Sequence, residues 1–307
     1  MRRFSIFICI QALLFASIIE PISVALIRIS FKEDSTNSTT GNGQFLLTNE
    51  GIDCGSYTID PPPHDYNYFL SQLHSVNQYF ENVSYGKFGI DLAQSSIYPS
   101  SLNGNYQLSN TMDFYNPYDD PLGQEEKLTK LFKDAIEQSY TEDAIDFSQY
   151  DLVLIFHAGI GQDFSLPFLD PTPEDIPSTY IDEDMILEHL GESHINVGNH
   201  MIQKGIILPE TQNHLLYDIS ETMFSDAENP CEYQYGITGT FSLMIGFAIG
   251  LPPLWNIQTG ESGVGVFGLM DQGSNNGRGI IPAPPTAWSR IYAGWENYVI
   301  GQLGTEY

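Results

Sequence analysis

The sequence predicts an α+β domain built on a mixed sheet, and three observations carry that prediction. Two stretches place apolar residues at helical spacing, residues 151–156 form an apolar run of strand length, and no segment repeats at the period of a solenoid or propeller. With 307 residues, 42% of them hydrophobic, the chain is long and apolar enough to bury a sizeable core as one compact unit.

Taken in order, residues 26–31 alternate apolar and polar side chains, as a strand with one wet face does, and residues 32–44 are a loop rich in Ser, Thr, Asn and Gly. Ile59-Asp60-Pro61-Pro62-Pro63 is a stiff extended lead-in. Phe69, Leu73, Val76 and Phe80 then recur at steps of three and four, so the spacing predicts a helix ending near Tyr85-Gly86, with a return to strand over residues 87–97. Leu128, Leu131, Phe132, Ala135 and Ile136 mark a second amphipathic helix. After the 151–156 strand, residues 168–192 are acidic and broken by prolines, which predicts an excursion over the surface.

The N-terminus reads as an export signal. Arg2 and Arg3 precede an uncharged apolar run over residues 4–19, and Ser23-Val24-Ala25 offers small residues where a signal peptidase reads, which predicts a leader of residues 1–25 and a secreted domain of 26–307. The formal charge is -28, and losing Arg2, Arg3 and Glu20 with the leader makes the remainder one unit more negative. Nucleic acid and anionic membrane are thereby excluded as partners. Cys9 leaves with the leader, and Cys54 and Cys231 then either pair in the oxidising exterior or stay apart as free thiols.

Residues 239–253 are apolar all round, with Gly250 to end a helix and Pro252 and Pro253 unable to continue one, so they predict a helix wrapped by other elements. Its end, Gly246-Phe247-Ala248-Ile249-Gly250-Leu251-Pro252, resembles the Gly-His-Ala-Leu-Gly-Leu-Pro end of the active-site helix in immune inhibitor A-type secreted metallopeptidases. Further segments follow in the same order: Val83-Ser84-Tyr85-Gly86-Lys87, Phe156-His157-Ala158-Gly159, Gly268-Leu269-Met270-Asp271, which resembles that family's Met-turn, and Ala287-Trp288 through Gly294-Trp295.

The resemblance implies a zincin-like fold: a mixed sheet, an active-site helix bearing His-Glu-x-x-His, and a Met-turn beneath the metal. Two histidines four residues apart share a helix face and can hold one zinc, while the intervening Glu polarises a bound water. At the matching positions this chain carries Leu243 and Phe247 for the histidines, Met244 for the Glu and Pro253 for the third ligand. Leu and Phe offer no lone pair, Pro has no ligating side chain, and a thioether is a poor zinc donor and no base. The expectation is an inactive pseudopeptidase with no zinc and no cofactor, acting by binding a protein or peptide. Met270 is expected to pack on the helix bearing Leu243, Met244 and Phe247, and the resemblance also implies structural calcium and further domains beyond residue 307.

The competing expectation is an active zinc metalloendopeptidase with ligands elsewhere, drawn from His157, His189, His194, His200 and His214. His189-Leu190-Gly191-Glu192-Ser193-His194 approaches the inverted zincin pattern but carries one residue too many, turning the second histidine about 100° round a helix. His157, at a strand end, reads as a satisfied buried histidine or as a support for a neighbouring loop. The Gly-rich residues 260–279 lack the Lys of a phosphate loop and are expected to form a flexible wall able to receive an extended peptide.

Overall fold

The computed structural model describes residues 18–49, 51–118, 120, 123–164, 170–217 and 227–299. The basic start and most of the apolar run of the expected leader, Phe168 and residues 301–307 lie outside the described residues.

A mixed sheet organises the domain, in keeping with the α+β prediction. Its strands are β1 (Val24–Ser30), β2 (Ser96–Tyr98), β3 (Tyr106–Gln107), β4 (Leu152–Ile160), β5 (Thr179–Ile181) and β8 (Gly205–Thr211), while β6 (Ile195–Val197) and β7 (His200–Ile202) form a separate hairpin. The order is β2-β1-β4-β8-β5, with β3 pairing the far end of β1. All pairings in the large sheet are parallel except that of the edge strand β5, which runs antiparallel to β8.

Helices cover both faces: α1 (Tyr66–Val83), α2 (Gln124–Asp143), α3 (Glu183–Leu190), α4 (Thr238–Ala248) and the short α5 (Ala287–Tyr292). Because side chains alternate along a strand, the sheet divides the interior into two cores. Val24, Leu26, Leu154, Phe156, Ile206 and Leu208 pack with α1 and α4, whereas Ala25, Ile27, Val153, Ile155 and Ile207 pack with α2. The apolar stripes behave as spaced: Phe69, Leu73, Val76 and Phe80 are buried on α1, and Leu128, Leu131, Phe132, Ala135 and Ile136 on α2. Helix α1 starts where the Asp65 carboxylate accepts from the amides of Asn67 and Tyr68, and it gives way at Tyr85, whose φ is 60°.

Three expectations are corrected. Strand β1 has no wet face: Arg28 is buried, its guanidinium donating to the carbonyls of Leu102, Pro99 and Ser101 at 2.9, 2.5 and 2.7 Å. Burial pulls its pKa down to about 10 against the opposing pull of Asp65. Residues 87–97 are mostly irregular, joined to the sheet by a bridge from Ile22 to Ile90 before β2 begins, because this segment has only short runs to offer the edge of β1. The acidic 168–192 stretch is not a mere excursion, since it contributes β5, α3 and the fully buried Ile176. Proline punctuation had hidden these short elements.

The boundary drawn after Ala25 falls inside β1, where Val24 and Ala25 pair with Leu152 and Val153. Upstream, the Ile18 amide donates to Ala293 O at 2.9 Å, the Ile22 amide to Gly89 O at 3.1 Å, and both the amide and hydroxyl of Ser23 to the Asp151 carboxylate at 2.8 Å. Among the described residues no helix is long and apolar enough to cross a membrane.

Candidate functional site

Helix α4 is the centre of the site the sequence singles out. It packs between α1, β8 and the edge strand β5, and its position is fixed at both ends. At its start the Asp60 carboxylate accepts from the Ile237 amide at 2.9 Å, from Gln72 of α1 at 3.0 Å and from Thr211 of β8 at 3.2 Å. At its end the Lys204 ammonium donates to Ala248 O at 3.0 Å, a cation on orphan carbonyls at the negative pole of the helix.

The four positions matching the zinc motif divide in two. Met244 is buried in the core between sheet and helices. Leu243 and Phe247, one turn apart, are half-buried on the more open face, with the Phe247 ring edge-on to Trp255 at 5.5 Å between centroids; Pro253 is half-buried beyond the helix end. Met270 is fully buried within the same core. Its main-chain oxygen receives the Leu254 amide at 2.8 Å, so the turn bearing Met270 is tied to the segment that leaves α4.

The Gly-rich wall is pinned rather than flexible. Asp271, next to Met270, accepts on Oδ2 from Ser262 Oγ and from the amides of Gly263, Val264 and Gly265 at 2.7 to 2.9 Å, and on Oδ1 from the Gln272 amide at 2.8 Å. Burial works to raise this carboxyl, but the converging donors outweigh it and hold the pKa below the usual carboxylate value. Backbone amides of the kind that cradle anions are filled here by the protein's own carboxylate.

The histidines do not converge. His157 is fully buried, its Nδ1 2.9 Å from Ala158 O; burial drives its pKa down to about 4 against the backbone carbonyls of Ala158 and Ile176, so it is neutral near pH 7. His189 ends α3 and lies 3.6 Å from Glu125, and His194 sits past the left-handed Gly191, 3.1 Å from Ser193 Oγ. The inverted zincin spacing thus straddles a helix end instead of lying on a helix. His200 stands 3.5 Å from Asp146, and His214 lies in a separate one-turn helix after β8. Among the described residues no three His, Cys, Asp or Glu side chains are grouped to hold a metal. The side chains on α4 do not fit zinc.

Sequence reasoning missed a buried polar hub at the carboxyl end of the central strands. Glu210 of β8 accepts from His64 Nδ1 at 2.6 Å, the Leu46 amide at 2.9 Å, the Gly159 amide at 2.7 Å and the Tyr217 hydroxyl at 2.6 Å. His64 Nε2 donates to Asp60 O at 2.8 Å, so both ring nitrogens face acceptors; burial opposes its charge, but Glu210 and Asp60 raise its pKa above the ordinary histidine value. With every Glu210 partner spoken for, the hub joins four stretches of chain and leaves no free group for chemistry. Its one sequence signal was the polar run from Glu210 to Asn213 closing an apolar strand.

Cys54 and Cys231 form a disulfide with Cα atoms 5.9 Å apart, tying the segment before α1 to the segment before α4. No protein-family model matches this chain, and a search of the curated proteins returns no match.

Proposed function

We propose that this chain is a secreted, zincin-like metallopeptidase domain without catalytic activity, working by binding or scaffolding a protein or peptide. The observation that carries the reading is the open face of α4, where the two positions that should hold zinc ligands are Leu243 and Phe247, and where the Phe247 ring meets Trp255 edge-on instead of a charged or ligating group. Packed apolar groups in all the ligand positions leave no unsatisfied donor or acceptor behind, which a half-stripped metal site would.

The segments behind the resemblance also meet in space in pairs, which supports a shared frame. Met270 packs on the helix of Gly246 and Phe247, and Lys87 donates to Trp295 O at 2.7 Å while Phe88 stacks on the Trp295 ring at 5.8 Å. The mixed sheet, with α4 beside its antiparallel edge strand, agrees with the same frame. Export is supported by the disulfide and the acidic composition.

The test is metal analysis of the purified protein alongside casein digestion, repeated on the Leu243→His, Met244→Glu, Phe247→His triple variant. Neither protein should contain stoichiometric zinc or cleave casein, and the variant should be destabilised by several kcal/mol because the carboxylate that replaces the Met244 thioether enters the core unpaired. Chelator-sensitive cleavage by the unaltered protein would overturn the proposal.

A further inference from the structure

A second site lies away from the open face of α4. A cavity of about 530 Å³ opens beside the Cys54–Cys231 bridge, between Tyr57 and Ile59 on one side and Arg278 and Ile280 on the other. That volume is in the range of small-ligand sites. Its floor is fixed by the buried Gln234, whose Nε2 donates to Tyr57 O and Cys231 O at 3.2 and 3.0 Å and whose Oε1 receives the Ile59 amide at 2.8 Å.

Arg278 is held over this cavity against the preference of its backbone. Its φ is 60°, between Gly277 at 56° and Gly279 at 73°, so three successive residues are left-handed and the middle one carries a long side chain. The turn is locked there because the Gly236 amide donates to Arg278 O at 2.8 Å and the Gly239 amide to Gly279 O at 2.7 Å. For the fold alone glycine would serve better at position 278. Among the described residues the exposed guanidinium makes one bond, from Nη1 to Cys231 O at 3.2 Å, and no ion pair. In a chain of net charge -28 such a cation marks a local place where an anion is welcome, and its planar fork matches a carboxylate.

We propose that this cavity captures the terminal carboxylate of a peptide whose last side chains are apolar, with the carboxylate on Arg278 and the side chains against Tyr57, Ile59 and Ile280. Glu232 also lines the cavity and is bonded by Asn229 Nδ2 at 3.2 Å, so it favours a ligand whose charge is confined to the end that meets Arg278. The proposal stands whether or not the open face of α4 binds anything.

The probe is an N-acetylated tripeptide ending in two leucines, titrated into the full chain by calorimetry as the free acid and as the C-terminal amide. The free acid should bind at least about tenfold more tightly than the amide, as loss of a charge-assisted pair implies, and Arg278→Gln should remove that preference. Arg278→Gly should also lose binding while raising the unfolding midpoint, since glycine relieves the left-handed backbone. Equal affinity for acid and amide, absence of binding by both, or an unchanged preference in Arg278→Gln would each overturn the proposal. A lowered midpoint in Arg278→Gly with peptide binding intact would assign Arg278 a purely structural role and overturn it as well.

Discussion

Gly246 and Met270 touch so closely that a Cβ built on Gly246 would lie 2.6 Å from Met270 Sδ. Both residues are buried, so the overlap has to be relieved by the Met270 thioether swinging aside or by a shift of α4 against the turn that carries Asp271. Met270→Ala should cost about 2 to 5 kcal/mol, as truncation of a buried core side chain does. Gly246→Ala should cost about 1 to 3 kcal/mol, because overpacking outweighs the gain in helix propensity. Combined, the two changes should cost less than their sum, since the new methyl occupies space the thioether vacates; denaturant melts of the four proteins measure that coupling. Strict additivity would mean that the contact is not formed.

The Asp175 carboxyl predicts a pH dependence. Burial pushes its pKa up to about 7, against hydrogen bonds from the Thr40 amide at 2.7 Å and the Thr40 hydroxyl at 2.5 Å that pull it down. The folded value lies above the unfolded one of roughly 3.9, so its stabilising contribution is complete below about pH 4 and is lost as pH rises through 7. Asp175→Asn should remove a decline on the order of a few kcal/mol between about pH 4 and 8. His157 has the opposite sign: with its pKa held near 4, stability is lost as pH falls from about 6.5 toward 4. Urea midpoints recorded across that range in both proteins separate the two slopes.

Cys54 and Cys231 are 177 residues apart, and closing so long a loop restricts the unfolded chain strongly. The double change to serine should lower stability by up to about 5 kcal/mol in the chain-entropy view. Equilibrium unfolding of the serine variant against the oxidised protein gives the difference directly, and a change below about 1 kcal/mol would show that native contacts already hold these segments together.

The residues just before and within the start of β1 should be indispensable to the fold. A chain beginning at Ile18 keeps the bonds to Ala293, Gly89 and Asp151 and the pairing of Val24 and Ala25, whereas one beginning at Leu26 loses them all. The shorter chain should be at least about 3 kcal/mol less stable, from lost burial of Val24 and Ala25 and several lost hydrogen bonds. Equal melting of the two would place the true start of the strand at Leu26.

Local patterning was enough to find α1, α2, α4, β1 and β4, because an apolar stripe or an unbroken apolar run is satisfied only by burial, whereas the central strand β8 was not singled out. The family resemblance, and not periodicity, singled out Leu243, Met244, Phe247 and Pro253, and their lack of a zinc donor then follows from residue type alone. Tertiary structure alone decided the rest. The burial of Arg28 depended on carbonyls about seventy residues away, and the edge strand β5 is too short to leave a pattern. The pinned loop around Asp271 and the Glu210–His64 hub are likewise invisible in sequence, because a buried polar side chain is defined by partners that only the folded chain brings within hydrogen-bond reach.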